Sequence, residues 1–122
     1  MLHDASKFYA EWAGEMGAAK ARAPEIGKAF GPFFQGLMKD GALPVKQKEL
    51  VALGIAVALR CEPCIYAHVE KCFKSGATGA EIMEATGVAV MMQGGPSYTY
   101  VPIVAAAVGE MEKRVQATAK SV

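Results

Sequence analysis

Apolar residues recur along this chain at helical spacing, and strand-type alternation is scarce. Phe8, Trp12, Met16 and Ala19 step by four, four and three residues, which predicts an apolar stripe on a helix over 6–22. Pro24 suits the first turn of a second helix, where its missing N–H leaves no bond unmade. That helix should reach Met38 or Lys39, with Gly31-Pro32 as a candidate break. The stretch DGALP reads as a loop, and Pro44 should open a third helix running through the apolar segment 50–59. After RCEP a fourth helix should extend to Lys74. Gly76 then supplies a C-terminal cap, and Thr78 with Glu81 forms the capping box of a fifth helix. The paired glycines and proline of QGGPS mark a loop. A last helix over 98–119 carries Pro102 near its start. No repeat, low-complexity tract or linker interrupts this pattern, so the expectation is a single all-α domain over 1–122, a bundle of about six helices.

Composition sharpens the picture in one respect. Hydrophobic residues make up 52% of the 122 positions, which is rich for a small monomer and implies apolar helix faces left for an interface. A homo-oligomer is therefore expected. Thirteen Lys and Arg against twelve Asp and Glu leave a net charge of +1, with no charged block to suit a nucleic acid. The longest apolar run has ten residues, too short to span a bilayer. The start, MLHDASKFYAEW, lacks the apolar stretch of a signal peptide. A cytoplasmic protein is expected, in which a disulfide would be chemical rather than structural.

Candidate chemistry is concentrated in RCEPCIYAHVEKC, residues 60–72, which holds all three cysteines and one of the two histidines. On a helix, Cys61, Cys64, His68 and Cys72 fall on one stripe. Zinc is one reading, because C-x2-C-x3-H-x3-C nearly copies a zinc knuckle. On a continuous helix, however, Cys61 and Cys72 would lie about 16 Å apart and could not share an ion. No metal or cofactor is expected. Redox chemistry is the second reading. Cys61 and Cys64, three apart in a first turn, would have Cα atoms about 5 Å apart, within disulfide range. The helix N-terminus favours thiolate there, and His68 lies one turn beyond Cys64, placed to take its proton. The third reading makes the cysteines and His68 ordinary core residues. Cys72, about 12 Å along the helix from Cys64, fits that description in any case.

Glu49 adds a further mark, since it completes an E-x11-C-x2-C-x3-H pattern with Cys61, Cys64 and His68. With the flanking helices of 43–100, this pattern resembles the alkylhydroperoxidase D-like proteins of the carboxymuconolactone decarboxylase superfamily. The resemblance implies a helical subunit assembling into trimers or hexamers. It also implies a cysteine pair that reduces hydroperoxides or a partner's disulfide, with a thiol reductant or a peroxiredoxin-type protein as redox partner. By position, Cys61 and Cys64 become the redox pair, His68 the proton acceptor and Glu49 a member of the proton relay. The chain departs from its best-known relatives in having Pro63 where they carry a further histidine between the cysteines. If the chain reverses near residues 60–62, Glu49 comes within about one turn of the level of His68, so a Glu–His contact becomes attainable.

The expected function is thus a cofactor-free thiol–disulfide oxidoreductase with peroxidase-like chemistry. Decarboxylation of a carboxylated lactone is the enzymatic rival. Its dicarboxylate substrate would want a cationic clamp, yet arginine occurs only at Arg22, Arg60 and Arg114. A redox-sensing helical oligomer is the non-enzymatic rival.

Overall fold

The computed structural model describes residues 4–120, with side chains through Thr118; the outermost residues of the expected 1–122 domain lie outside the described residues. Asp4 caps α1 (Ala5–Arg22) by accepting a hydrogen bond from the Lys7 amide at 3.0 Å. Pro24 opens α2 (Pro24–Met38), which runs unbroken through Pro32. The break considered at Gly31-Pro32 does not occur. Gly31 presents no Cβ to the proline ring, which removes the crowding a larger residue before proline would suffer, and Pro32 itself is exposed.

Pro44 is the cap of α3 (Val45–Leu59) rather than its first helical residue. Asp40 takes up the Val45 amide at 2.8 Å. The Lys48 ammonium donates to the carbonyls of Leu37 and Lys39 at 2.9 and 2.6 Å, tying the end of α2 to α3. Next come α4 (Glu62–Lys74) and α5 (Gly79–Gln93). The Thr78–Glu81 capping box is present, with bonds of 3.1 and 2.9 Å. A bond from Lys46 and the Thr78 amide hold the Glu81 carboxyl below its usual range. The segment expected as loop after α5 contains a four-residue helix, α6 (Gly95–Tyr98), and α7 (Val101–Lys120) starts three residues later than expected. Gly94, at φ +82°, turns the chain, and the Ser97 hydroxyl, bonded to the Gln93 side chain, winds the next residues into that short turn.

The helix α4 is the axis of the core. Its Ile65, Tyr66, Val69 and Cys72 are buried among Leu53 and Val57 of α3, Ile82 of α5, and Val104 and Ala107 of α7. On the far side Phe8 of α1 packs on Tyr66 at 4.5 Å between centroids, and the Tyr9 hydroxyl donates to the Tyr66 carbonyl at 2.6 Å. The expected α1 stripe is therefore covered at Phe8 and Trp12 but open at Met16 and Ala19. Further out, α2 buries no residue fully. Among the described residues no helix is long and apolar enough to cross a membrane.

Two residues join α3 to α4. Arg60 adopts the left-handed conformation, φ 56° and ψ 44°. The Cys61 amide then reaches back to the Ala56 carbonyl and the Arg60 amide to Val57, both at 3.0 Å. This is a Schellman closure. The end of α4 repeats it around Gly76 at φ +92°, with Ala77 bonded to Cys72 at 2.9 Å and Gly76 to Phe73 at 3.1 Å. The second closure uses the residue suited to that conformation and the first does not. Arg60→Gly should accordingly raise folding stability by about 0.5–1 kcal/mol, whereas the β-branched Arg60→Val should lower it. Urea denaturation midpoints of the three proteins check this, and a lowered midpoint for the glycine variant would refute it.

Candidate active site

The tight α3–α4 turn makes Cys61 the N-cap of α4 and places Cys64 in its first turn. The i, i+3 spacing predicts both in that turn, and in the structure Cys61 sits one position further out. Its amide is held by Ala56 and its carbonyl accepts from the Ile65 amide at 3.0 Å. With the backbone fixed on both sides, the Cα atoms of Cys61 and Cys64 lie 5.2 Å apart and the sulfurs are joined in a disulfide. Both residues remain partly exposed. The Cys61 side chain makes no capping hydrogen bond at this helix end, and Pro63 contributes no N–H to it. The positive end of α4 therefore favours a thiolate released there by reduction. The neighbouring Glu62 carboxylate, which accepts the Tyr66 hydroxyl at 3.0 Å, works against that field. Burial first, and this bond second, push the Tyr66 hydroxyl well above its ordinary range, so it stays a neutral donor.

His68 lies one turn beyond Cys64 on α4 and is half-buried. The hairpin brings Glu49 of α3 to it, with Glu49 Oε1 and His68 Nδ1 2.6 Å apart and Glu49 only 3% exposed. The contact inferred from a chain reversal is thus present. With Glu49 as a carboxylate, which only accepts, Nδ1 is the donor and Nε2 becomes the basic nitrogen of the ring. A buried carboxylate is costly without such a partner.

Phe34 was not singled out from the sequence. Its ring stacks beside His68, with centroids 6.4 Å apart and planes at 28°, and the Lys71 ammonium lies 4.3 Å from its centroid. Nothing in the spacing of Phe30, Phe33 and Phe34 distinguishes the one that faces the histidine, because the packing of α2 on α4 decides it.

Cys72 completes the stripe but is fully buried in the core. Burial, then the Glu49 and Glu81 charges, push its thiol up to about 12. Among the described residues no three histidine, cysteine or acidic side chains group as metal donors.

A helical chain with a disulfide-closed C-x-x-C at a helix N-terminus and a buried Glu–His pair one turn along defines a class of thiol-bearing helical proteins. The chain belongs to the carboxymuconolactone decarboxylase family, whose model matches residues 24–113. It is similar to a carboxymuconolactone decarboxylase family protein of Legionella pneumophila, with a TM-score of 0.80 and 36% identity over 87% of this chain and 95% of that one. A family member from Thermotoga maritima, suggested to take part in an antioxidative response, gives 0.79 and 26% identity over 90% and 94% of the two chains. A protein of the Paracoccus denitrificans cox locus is 32% identical, covering 80% of this chain and 87% of its own length.

The buried Cys72 thiol sets a pH dependence. An unfolded cysteine ionises near 8.5, while in the folded chain Cys72 holds its proton up to about 12. Between those values the unfolded state alone releases it, so this contribution to stability is intact below about pH 8.5 and declines as pH rises. Denaturation midpoints of the reduced protein should fall more steeply from pH 8 to 10.5 than those of Cys72→Ala. Parallel curves would contradict the burial argument.

Proposed function

We propose that this protein is a cofactor-free thiol–disulfide oxidoreductase that reduces organic hydroperoxides, working in a reducing cytoplasm. The observation that carries this reading is a redox-closable cysteine pair at a helix N-terminus, one turn from a histidine held by a buried glutamate. Glu49 orients the His68 ring through Nδ1 and stabilises the imidazolium that forms when Nε2 takes the Cys64 proton. The Cys64 thiolate attacks the terminal peroxide oxygen and the O–O bond breaks. The departing alkoxide takes the proton from His68 and leaves as an alcohol. Cys64 is now a sulfenic acid, which the Cys61 thiol attacks to form the Cys61–Cys64 disulfide and water. Two electrons have passed from the cysteine pair to the peroxide. An external dithiol reductant returns them with two protons by exchange at the disulfide. A partner's disulfide would be reduced by the same pair through a mixed disulfide. The Thermotoga relative, suggested to act in an antioxidative response, is consistent with this chemistry. Decarboxylation, the reaction in the family's name, would leave the cysteine pair without a part to play.

The protein acts as a homo-oligomer, a trimer or hexamer. Two unlike apolar faces support this. Ile26, Phe30, Phe33 and Leu37 form an exposed stripe on α2, while Val51, Ile55, Val88 and Met92 line an apolar groove between α3 and α5. Unlike faces associate head to tail, an arrangement that closes into a ring when the rotation between neighbours allows it. Light scattering at micromolar concentration should give at least three subunits, and a monomer would remove the claim.

The chemistry is tested by single-turnover reduction of cumene hydroperoxide. Replacing His68 by Ala should slow disulfide formation by roughly 10², and Glu49→Gln should slow it less, because the amide oxygen still accepts from Nδ1. Cys72→Ala should retain the rate. Equal rates for wild type and His68→Ala would withdraw the proton-acceptor role.

A further inference from the structure

A groove of about 320 Å³ opens between α2, α3 and α4, at the opposite end of α4 from the disulfide. One wall is apolar, formed by Phe34, Met38 and Val45, and three lysines, Lys39, Lys71 and Lys74, stand around it. Its lining also includes Glu49, whose carboxylate is committed to His68. Lys74 has only a long contact of 3.9 Å to Glu70, and among the described residues neither Lys39 nor Lys71 has a carboxylate partner. Lysines near helix C-termini complement the dipole, and Lys48 shows what full commitment to that task looks like, with both its carbonyl contacts under 3 Å. The ammonium of Lys71 lies over the Phe34 ring instead.

The arrangement is polarised. The lysines attract an anion, while the Glu49 carboxylate repels one from the interior of the groove, so a charged head group is held among the lysines. An apolar tail would lie along Phe34, whose ring neighbours both Lys71 and His68 of α4. Lys71 is seven residues after Cys64, nearly two full turns, so the two share a face of α4 about 10.5 Å apart. Lys74 is ten residues on, at about 15 Å. An extended hydrocarbon of about eight to twelve carbons spans those distances.

The geometry points to a substrate class: a long-chain monocarboxylic acid carrying its hydroperoxide in mid-chain, with the carboxylate on Lys71 and Lys74 and the peroxide at Cys64. This rests on the peroxide-reduction reading above and deepens it. The reaction balances as before: hydroperoxy acid and two thiols give the hydroxy acid, water and the Cys61–Cys64 disulfide.

The test compares linoleic acid hydroperoxide with its methyl ester, both below their aggregation limits, and with cumene hydroperoxide. The wild type should reduce the acid roughly tenfold faster in kcat/KM than the ester, the scale of two exposed ion pairs, and added salt should erode the preference. A Lys71→Gln, Lys74→Gln double variant should lose that preference while keeping its rates on the ester and on cumene hydroperoxide. Equal rates for acid and ester in the wild type would overturn the proposal and leave the peroxidase reading standing. Loss of all three rates together in the variant would also overturn it, showing that the lysines act on the site through Phe34. Should the wild type reduce no hydroperoxide, the peroxidase reading fails and the substrate assignment with it. Calorimetry with laurate then isolates the groove: weaker binding to the double variant supports a carboxylate site, and no binding to the wild type removes that as well.

Discussion

The hydrogen bond from the Cys61 amide to the Ala56 carbonyl is the constraint on which the site depends. It ends α3, turns the chain within two residues and makes Cys61 the cap of α4. Every other relation follows from that reversal. The cysteine pair is held at disulfide distance because its first member is pinned on both sides, and Glu49 reaches His68 because α3 runs back along α4. A longer or looser turn would leave the same residue types on the same helices without bringing them together. Arg60 accepts an unfavourable conformation to make this possible, a local conflict of the kind found where a site overrides propensity.

Packing around the site is unequal. Behind α4 the core is dense, with Leu53, Val57, Ile65, Val69 and Val104 withdrawn from solvent and Tyr66 held by Phe8 and Tyr9. In front, α2 contributes Phe34 to the histidine yet buries nothing completely. Its attachment rests on Lys48 and on contacts of half-exposed side chains. The rigid side fixes the geometry of the cysteine pair and of the Glu49–His68 contact, and the lightly held side is the one that opens at lowest cost.

How readily each feature could be seen in the sequence follows from how local its cause is. Caps, prolines and glycines act within a turn, so the Thr78–Glu81 box and the Gly76 closure were readable directly, and helix boundaries there agree closely. The short α6 was hidden inside a loop signature because Gly94 and Pro96 mark a turn without saying that a helical turn follows. The Glu49–His68 contact became readable only once a reversal was assumed, since nineteen residues separate the pair. Phe34 and the lysine groove were not readable at all. They arise where α2, α3 and α4 meet, and no periodicity on any one helix encodes that meeting. The apolar excess was plain in the composition, but its division into two unlike faces required the fold.

Because Cys61 and Cys64 are only three residues apart, their disulfide encloses a very small loop. On the chain-entropy estimate such a closure restricts the unfolded chain by about 2 kcal/mol, against nearly 5 for a loop of a hundred residues. The bond is therefore a poor staple. Opening and closing it would change the oxidation state of two sulfur atoms, while the hairpin has its own backbone bonds to hold it. In the proposed cycle, electron transfer at this position would be mechanically quiet, because the backbone bonds that hold the hairpin do not depend on the disulfide.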